Sequence, residues 1–201
     1  MNTDKPYSPA CDRNKEAILE QMARLLDPSK HRSLLEIGSG TGQHAVFMAP
    51  QLSWLTWTTS EVSENIPGLC CWLNEFKASN IQGPINITLG ETDIPNNQFD
   101  VVFSANVLHI ISWELCLELF RQLGNALPKD ALVIFYGPFL YNQQYTSPSN
   151  ASFDQDLRER DPRSGIRNLE DVELELRHHG FTKKADIKMP ANNQLIQFIK
   201  S

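Results

Sequence analysis

Short apolar runs alternate with amphipathic stretches along almost the whole chain. Continuous runs of β-branched, aromatic and leucine residues predict strands, and apolar residues that recur every three or four positions predict helices. The predicted strands are residues 34–37, 54–60, 85–89, 99–104, 131–136, 181–189 and 194–200. The predicted helices are residues 13–26, 45–49, 65–79, 113–127 and 169–179. Strands that alternate with helices are typical of an α/β protein, and the buried fourth run favours a mostly parallel sheet.

Polar, glycine and proline residues mark the ends of several elements. Asp12 precedes the first helix, where we expect it to be the N-cap, and Gly180 follows the last helix as its C-cap. Residues 80–84 predict a turn before the third strand. Residues 190–193 predict a hairpin turn between the last two strands.

Three glycines at alternate positions follow the first predicted strand. The strand leads into Gly38-Ser39-Gly40-Thr41-Gly42, and a helical stretch comes next. Glycine lets the chain turn sharply at the end of a buried strand, and it lets bare backbone approach a ligand that a Cβ would block. The pattern therefore predicts a ligand-binding turn at residues 38–42, and the alternative is a fortuitous glycine-rich loop.

Neighbouring residues narrow the class of ligand. A dinucleotide fingerprint would need Gly at the position of Gln43, and a P-loop would need Gly-Lys-Ser/Thr, which the turn lacks. Glu36 lies two residues before Gly38, and a carboxylate there would repel a pyrophosphate. It suits a ligand that carries an ammonium and a sulfonium, such as S-adenosylmethionine (SAM).

An acidic residue ends the second predicted strand. Glu61 lies 19 positions after Gly42, close to the interval at which a carboxylate accepts hydrogen bonds from ribose hydroxyls. A carboxylate accepts both O–H groups of a diol at once. The alternatives are Glu64 in the same role, or an exposed acidic helix entry.

Two further groups are expected near the cleft. Arg13 and Asn14 begin the first helix, where Arg13 could meet a carboxylate of the ligand, and the alternative is a solvated helix terminus. Asn106 and His109 follow the fourth strand, where open parallel sheets bind ligands. Asn106 is a candidate cofactor contact and His109 a candidate base, the alternative being a packed structural histidine.

The segment of residues 137–168 breaks the pattern. It combines Pro and Gly with a polar run and with four arginines interleaved among acidic residues. A long loop-rich insertion is usually functional or disordered, so we expect a lid over the substrate. The alternative is a short solvated helix.

Composition excludes several classes of function. Lys and Arg total 18 against 24 Asp and Glu, a formal charge of −6, so no global attraction to nucleic acid or an anionic membrane is expected. The four cysteines show no Cys-x-x-Cys spacing, and neither a secretory leader nor a membrane-spanning run is evident. We expect reduced thiols, no metal site and a cytoplasmic protein. The segment after the fourth strand also lacks the Asn/Asp-Pro-Pro-aromatic signature of enzymes that methylate nucleic-acid amino groups.

The run Glu36-x-Gly38-x-Gly40-x-Gly42 resembles motif I of the class I SAM-dependent methyltransferases. A narrower resemblance is to the family that includes methyltransferase-like protein 26. The segments that carry it are Pro9-Ala10, Arg13-Asn14, Gln43-His44, residues 106–110 with Trp113, residues 136–139, Ser149-Asn150, Phe153-Asp154, Leu157-Arg158, residues 165–167 and residues 189–193. Two positions depart from the family: Glu61 where Asp is usual, and Leu89-Gly90 where Leu-Asp is frequent.

The resemblance implies a single Rossmann-like domain over residues 1–201, with a helical segment at residues 1–30. It implies a seven-stranded, mostly parallel sheet of order 3-2-1-4-5-7-6 with helices on both faces. It also implies SAM as cofactor and S-adenosylhomocysteine as product. The cofactor contacts that it implies are Arg13, Asn14, Glu36, Gly38, Ser39, Gly40, Gly42, His44, Glu61, Thr92, Asp93 and Asn106.

On the acceptor side, His109 is the expected base, and Tyr136 is expected to shape the pocket. The lid residues expected to touch the acceptor are Asn150, Phe153, Asp154 and Arg158. The function expected is in-line methyl transfer to a small molecule rather than to nucleic acid. The alternatives are a SAM-binding module without catalysis and a nicotinamide-dependent oxidoreductase. The oligomeric state is left open.

Overall fold

The computed structural model describes residues 5–201, so the first four residues of the expected helical segment lie outside the described residues. The helices are α1 Pro9–Leu25, α2 Gln43–Met48, α3 Ile66–Glu75, α4 Trp113–Ala126, α5 Pro148–Arg160 and α6 Leu169–His178. The first five strands are β1 Ser33–Glu36, β2 Thr56–Glu61, β3 Ile81–Asn86, β4 Val101–Ala105 and β5 Leu132–Gly137. The others are β6 Phe139–Tyr141, β7 Gln144–Tyr145, β8 Arg167–Asn168, β9 Phe181–Met189 and β10 Asn193–Lys200. Short 3₁₀ helices cover Ala49–Leu52 and Pro190–Asn192.

Seven strands form the central sheet in the order β3-β2-β1-β4-β5-β10-β9. Numbered along the chain within this sheet, the order is 3-2-1-4-5-7-6, so the predicted α/β architecture is confirmed. The five strands β1 to β5 pair in parallel, while β10 runs antiparallel to β5 and β9. The order reverses beside β1, and the carboxyl ends of β1, β2 and β4 open a crevice there.

Both faces of the sheet are buried, as the continuous apolar strands require. Successive residues of each strand point to opposite faces, so that Leu34 and Leu35 belong to different cores. The core that contains Leu34 includes Ile18 and Met22 of α1 and Ala45 and Met48 of α2. The core that contains Leu35 includes Leu119 and Leu123 of α4 and Val172 and Leu176 of α6. The helices therefore cover the sheet from both sides.

The first helix begins earlier than the sequence predicts. Ser8 is its N-cap, because the Ser8 Oγ accepts a hydrogen bond from the Cys11 N–H at 3.3 Å. Pro9 occupies the first helical position, where its fixed φ and missing N–H favour helix initiation. The prediction of Asp12 as the N-cap was wrong, and its carboxylate instead accepts from the Tyr7 hydroxyl at 3.1 Å.

The turn predicted at residues 80–84 was also wrong, since β3 runs through it. Gly83 and Pro84 are tolerated because β3 lies at the edge of the sheet, where a missing N–H breaks no ladder on the open side. Strand β2 also differs from its predicted bounds at both ends. The strand includes Glu61 and begins at Thr56 rather than at residue 54.

The lid (residues 137–168) is more regular than predicted. It contains the helix α5, and β6, β7 and β8 form a small second sheet in the order β7-β6-β8. The Ser147 Oγ accepts from the Asn150 N–H at 3.2 Å and Pro148 takes the first helical position, a strong local start signal. The helix is therefore set by local capping although its sequence has no apolar stripe.

Candidate functional site

The glycine turn (residues 38–42) lies between β1 and α2 and uses left-handed backbone. Gly38, Gly40 and Gly42 have φ angles of 67°, 56° and 86°. A Cβ at Gly38 would lie 2.6 Å from the Val107 Cγ2, whereas a Cβ at Gly40 would have no heavy atom within 4 Å. A Cβ at Gly42 would lie 2.6 Å from the Leu69 Cδ1, so the turn packs closely at both ends and presents bare backbone to open space only at its centre, Gly40, where a ligand can approach.

Glu61 holds the glycine turn from β2. Its Oε2 accepts from the Gly40 N–H at 2.7 Å, and its Oε1 accepts from the Val62 N–H at 2.9 Å. The residue is buried. The Oε1 also accepts from the Asn65 Nδ2 at 3.4 Å, while the Oε2 keeps a second acceptor direction. A diol that bonded both oxygens would therefore replace the long contact from Asn65. The structure brings Glu61 to the open side of the turn, and Glu64 is exposed beyond it.

Glu36 lies beneath the turn, with only 1% of its surface exposed. Its Oε2 accepts from the Trp57 Nε1–H at 3.0 Å, and its Oε1 lies 3.9 Å from the His44 Nδ1. Burial raises the pKa of Glu36 to about 7, although hydrogen bonds from Trp57 and Ser39 oppose the rise. The carboxyl group therefore changes charge near neutral pH.

His44 links this carboxyl group to α1. Its Nε2 lies 2.7 Å from the Asn14 Oδ1, which leaves the Nδ1 towards Glu36. Burial lowers the pKa of His44 to about 4, so the ring is neutral at pH 7. Burial raises the pKa of Tyr136, and the nearby Asn14 and Asn193 side chains oppose the rise. Glu36, His44, Asn14 and Tyr136 are thus polar neighbours between β1 and β5.

The segment before α1 packs against the start of α2. The Ser8 N–H donates to the Gln43 Oε1 at 2.6 Å, and the Gln43 Nε2 donates to the Ser8 carbonyl at 3.3 Å. The Trp72 Nε1 donates to the Pro6 carbonyl at 2.6 Å.

Two of the expected cofactor contacts point away from the open part of the turn. Arg13 is exposed on α1. The Ser39 hydroxyl turns inward and accepts from the Ser60 N–H at 3.1 Å. Ser39 therefore ties the glycine turn to the carboxyl end of β2.

The two residues expected near adenine do not converge on the turn. The Thr92 Oγ1 accepts from the Thr88 N–H at 2.7 Å and so closes its own loop. The Asp93 side chain is 87% exposed and pairs with Arg121 of α4 at 3.8 Å. The structure places neither side chain with Glu61.

Asn106 and His109 meet at the carboxyl end of β5. A Cβ at Gly137 would lie 3.4 Å from the Asn106 Oδ1 and 3.5 Å from the His109 Nδ1, so both side chains point at this glycine. Asn106 has a positive φ of 64°, and its N–H donates to the Tyr136 carbonyl at 2.8 Å. The predicted pair is thus brought together at the crevice.

The His109 ring is 5% exposed and packs edge-on against the Phe153 ring, with 5.3 Å between centroids. Burial lowers its pKa to about 4, the positive charge of Arg167 acts in the same direction, and Asp154 opposes both. The imidazole is neutral at pH 7 and so has a free lone pair. Phe153 is the lid residue that covers it.

The other lid residues bind one another. Asp154 is 2% exposed, and its carboxylate accepts from the Ile166 N–H at 2.5 Å, the Tyr145 hydroxyl at 2.8 Å and the Arg158 Nε at 2.8 Å. Burial alone would raise the pKa of Asp154, but these hydrogen bonds together hold it below the ordinary value. The Asn150 Nδ2 donates to the Asn192 carbonyl at 3.0 Å. These side chains organise the lid.

A cavity of about 450 Å³ lies along α5, lined in part by Asp154 and Arg158. Neither His109 nor Phe153 lines it. We therefore place the chemistry at the crevice of the glycine turn and His109, and not in this cavity.

Sequence reasoning missed residues that act through the backbone. Gln43 was noted as a missing glycine and as part of a family segment, and its side chain ties the N-terminal segment to α2. Ser164 and Arg167 donate to carbonyls of the turn that carries His109. A residue type gives no signal for such contacts, because any carbonyl can accept.

Across residues 5–201, no helix is both long enough and apolar enough to cross a membrane. Within the same range, no group of three or more His, Cys, Asp and Glu side chains is arranged to hold a metal ion.

A family model described as "Protein of unknown function (DUF938)" matches residues 5–200. Among solved structures, human N-acetylserotonin methyltransferase in complex with SAM superposes with a TM-score of 0.80 at 15% identity, over 96% of this chain and 53% of the other. The SAM-dependent methyltransferase SibL in its apo form gives 0.78 at 21% identity, over 95% and 55%. PigF with SAH gives 0.77 at 20% identity, over 96% and 64%.

These comparisons establish the fold. Two of the three neighbours hold SAM or SAH, and two are called methyltransferases. The chain spans a little over half to just under two thirds of their length. The chain therefore shares its fold with these proteins.

Proposed function

Because the chain belongs to the DUF938 family of proteins of unknown function, we propose its activity from the site: it is a SAM-dependent methyltransferase that acts on a small-molecule acceptor. The observation that carries the proposal is the open backbone at Gly40, held by the Glu61 carboxylate at 2.7 Å. The proposal is supported because an open left-handed turn and a carboxylate that could accept a diol are in direct contact there.

The residues of the glycine turn fit the proposed cofactor. Bare backbone at Gly40 leaves room for the nucleoside, and Glu61 would accept its ribose hydroxyls. The buried Glu36 carboxyl and the neighbouring Asn14 would face the ammonium group of SAM. A ligand with a pyrophosphate has no positive group to place beside this carboxyl. When bound, SAM supplies a methyl group on a cationic sulfur.

The acceptor side supplies a proton acceptor and an orienting amide. The His109 ring is neutral at pH 7 because its pKa is about 4, so its lone pair is free for the proton of an O–H, N–H or S–H group. The Asn106 amide points at the same glycine and would orient the acceptor. The Phe153 ring packs edge-on against the His109 ring and would limit its contact with water. Tyr136 lies near Asn14 and would shape the acceptor pocket.

The lid favours a small acceptor. Asp154 and Arg158 neutralise each other inside the lid, and the formal charge of the chain is −6. Neither feature attracts a polyanion such as nucleic acid. The narrower resemblance to the family of methyltransferase-like protein 26 and the cytoplasmic location stay predictions.

The test is methyl transfer from labelled SAM to a panel of small metabolites, combined with thermal shift assays in SAM and in NAD. We expect stabilisation by SAM but not by NAD, and turnover with at least one class of acceptor. Stabilisation by NAD alone would instead identify a nicotinamide-dependent oxidoreductase. Tight SAM binding with no turnover on any acceptor would identify a SAM-binding module without catalysis.

A further inference from the structure

The His109 turn (residues 107–111) is hydrogen-bonded to one short stretch of the lid. The stretch is residues 164–167, which we call the clamp segment. Its hydrogen bonds reach four successive carbonyls of the turn, those of Leu108, His109, Ile110 and Ile111.

Each bond has a distinct donor. The Gly165 N–H donates to the His109 carbonyl at 2.9 Å, and the Ser164 hydroxyl donates to the Ile110 carbonyl at 2.5 Å. The Arg167 Nε donates to the Leu108 carbonyl at 2.9 Å. The Arg167 Nη2 donates to the Ile111 carbonyl and, at 2.9 Å, to the Arg163 carbonyl. One guanidinium thus joins Leu108 and Ile111 of the His109 turn and also bonds the residue just before the clamp segment.

We propose that Arg167 is the positioning residue for His109, and that it acts by fixing the backbone turn from which the imidazole projects. This inference rests on the proposed function for its catalytic consequence. The guanidinium does not touch the proposed acceptor or cofactor, so its effect passes through the turn.

The His109 ring depends on its backbone for its place. Among residues 5–201 no hydrogen bond to the ring nitrogens is formed, and the Phe153 ring is its aromatic contact. A ring without a hydrogen-bonded partner follows the turn when the turn moves. The four fixed carbonyls therefore supply the positioning, although not the charge or the ring hydrogen bond, that a carboxylate supplies in a histidine–carboxylate pair.

The geometry requires arginine at this position. A guanidinium is planar and presents several N–H groups in a fixed fork, so it can serve separated carbonyls at once. A lysine ammonium at Arg167 would keep the charge but lose the fork. The two effects of Arg167, charge and positioning, can therefore be separated by substitution.

The clamp segment also connects His109 to α5. The Asp154 carboxylate accepts from the Ile166 N–H at 2.5 Å, between the clamp residues Gly165 and Arg167. The two charged side chains that act on the His109 ring are Arg167 and Asp154, with opposite signs. The lid and the His109 turn are thus one hydrogen-bonded unit.

The experiment compares Arg167→Lys and Arg167→Ala with Arg163→Ala. Arg163 is the matched control, because its side chain pairs with Asp161 at 3.0 Å and only its carbonyl meets Arg167. The first readout is the NMR titration of the His109 ring, assigned by the signal lost in His109→Ala. This readout needs neither SAM nor an acceptor.

In Arg167→Ala we expect the His109 pKa to rise by about 1 unit, because the cation is lost and water reaches the loosened turn. In Arg167→Lys we expect the pKa to stay near the wild-type value while kcat falls about 10- to 100-fold, with KM for SAM unchanged, since a shift of about 1 Å suffices. Arg163→Ala should match wild type in both readouts.

Two results would overturn the inference. The first is a His109 titration in Arg167→Ala that coincides with the Arg163→Ala control. The second is full kcat in Arg167→Lys. If Arg167→Ala does not fold, Ser164→Ala removes a single clamp bond, and faster amide exchange in residues 108–111 is then the expected result. Unaltered exchange would count against the clamp. Failure to find any methyl transfer would contradict the proposed function. The NMR titration would still test whether Arg167 positions His109.

Discussion

The glycine turn begins α2 and the lid contacts the turn that carries His109, and different kinds of contact hold the two regions. On the glycine side the determining contacts join neighbouring strands, and the bonds from Glu61 to Gly40 and from Trp57 to Glu36 each span 21 residues. On the lid side, the bonds from Ser164 and Arg167 to the His109 turn span 54 to 59 residues. The first side is set by backbone conformation, and the second by side chains that reach distant carbonyls.

This difference shows which kind of substitution should destabilise each region. A turn built on left-handed glycines fails when a Cβ is added, whereas a lid built on hydrogen-bonded charges fails when an acceptor or donor is removed. Substitutions can therefore damage the two sides independently. The predictions below separate them.

The largest effect is expected at Gly38. An alanine there would place its Cβ 2.6 Å from the Val107 Cγ2, and the stiff β-branched side chain cannot turn away freely. Overpacking costs about 1–3 kcal/mol, in addition to about 1–2 kcal/mol for left-handed backbone. Gly40→Ala, with open space above it, should lose only the second amount. Denaturant unfolding of both variants measures the difference, and equal destabilisation would contradict the packing described for the turn.

On the lid side, Asp154→Asn should lower the free energy of unfolding by about 1.5–3 kcal/mol, because hydrogen bonds to a charged acceptor are lost. The pKa of Asp154 is held below its ordinary value, so its stabilisation is complete above about pH 4 and is lost as the pH falls through the folded pKa. Asp156→Asn, exposed on the same helix, is the control. The difference between the two variants should shrink in acid, and a difference independent of pH would contradict this role.

A smaller effect, and one that depends on pH, is expected at Glu36. Its folded pKa of about 7 lies above the ordinary value of 4.5, so the folded protein binds this proton more tightly than the unfolded chain. Stability contributed by the group is present in acid and falls as the pH rises towards 7. Relative to wild type, Glu36→Gln should gain about 2 kcal/mol between pH 5 and pH 7. Parallel pH profiles for the two proteins would show that Glu36 is not held protonated.

The same contrast explains what the sequence could predict. Most of the strands and the glycine turn follow from local patterns, since apolar runs and alternating glycines are readable within a few residues. The order of the strands in the sheet was predicted from the family resemblance instead. The final strands at residues 181–189 and 193–200 nearly match their predicted bounds, because β9 alternates and β10 is apolar. Helix α1 was misjudged at its start because Ser8 and Pro9 outrank Asp12 as start signals.

The lid could not be predicted in the same way. Its helix has no apolar stripe, and β6, β7 and β8 are only two or three residues long. The clamp on the His109 turn uses backbone carbonyls as acceptors, and every residue has one. Residue type therefore predicted a histidine at the crevice, but it carried no information on what holds that histidine.

The central claim is that a SAM-like nucleoside binds over Gly40 with its sugar on Glu61. The most direct measurement is calorimetric titration of S-adenosylhomocysteine into wild type, Gly40→Ala and Glu61→Gln, with Glu64→Gln as control. We expect binding to wild type and to the control, and affinities weakened about 10- to 100-fold in the other two variants. No binding to wild type, or equal affinity in all four proteins, would contradict the account.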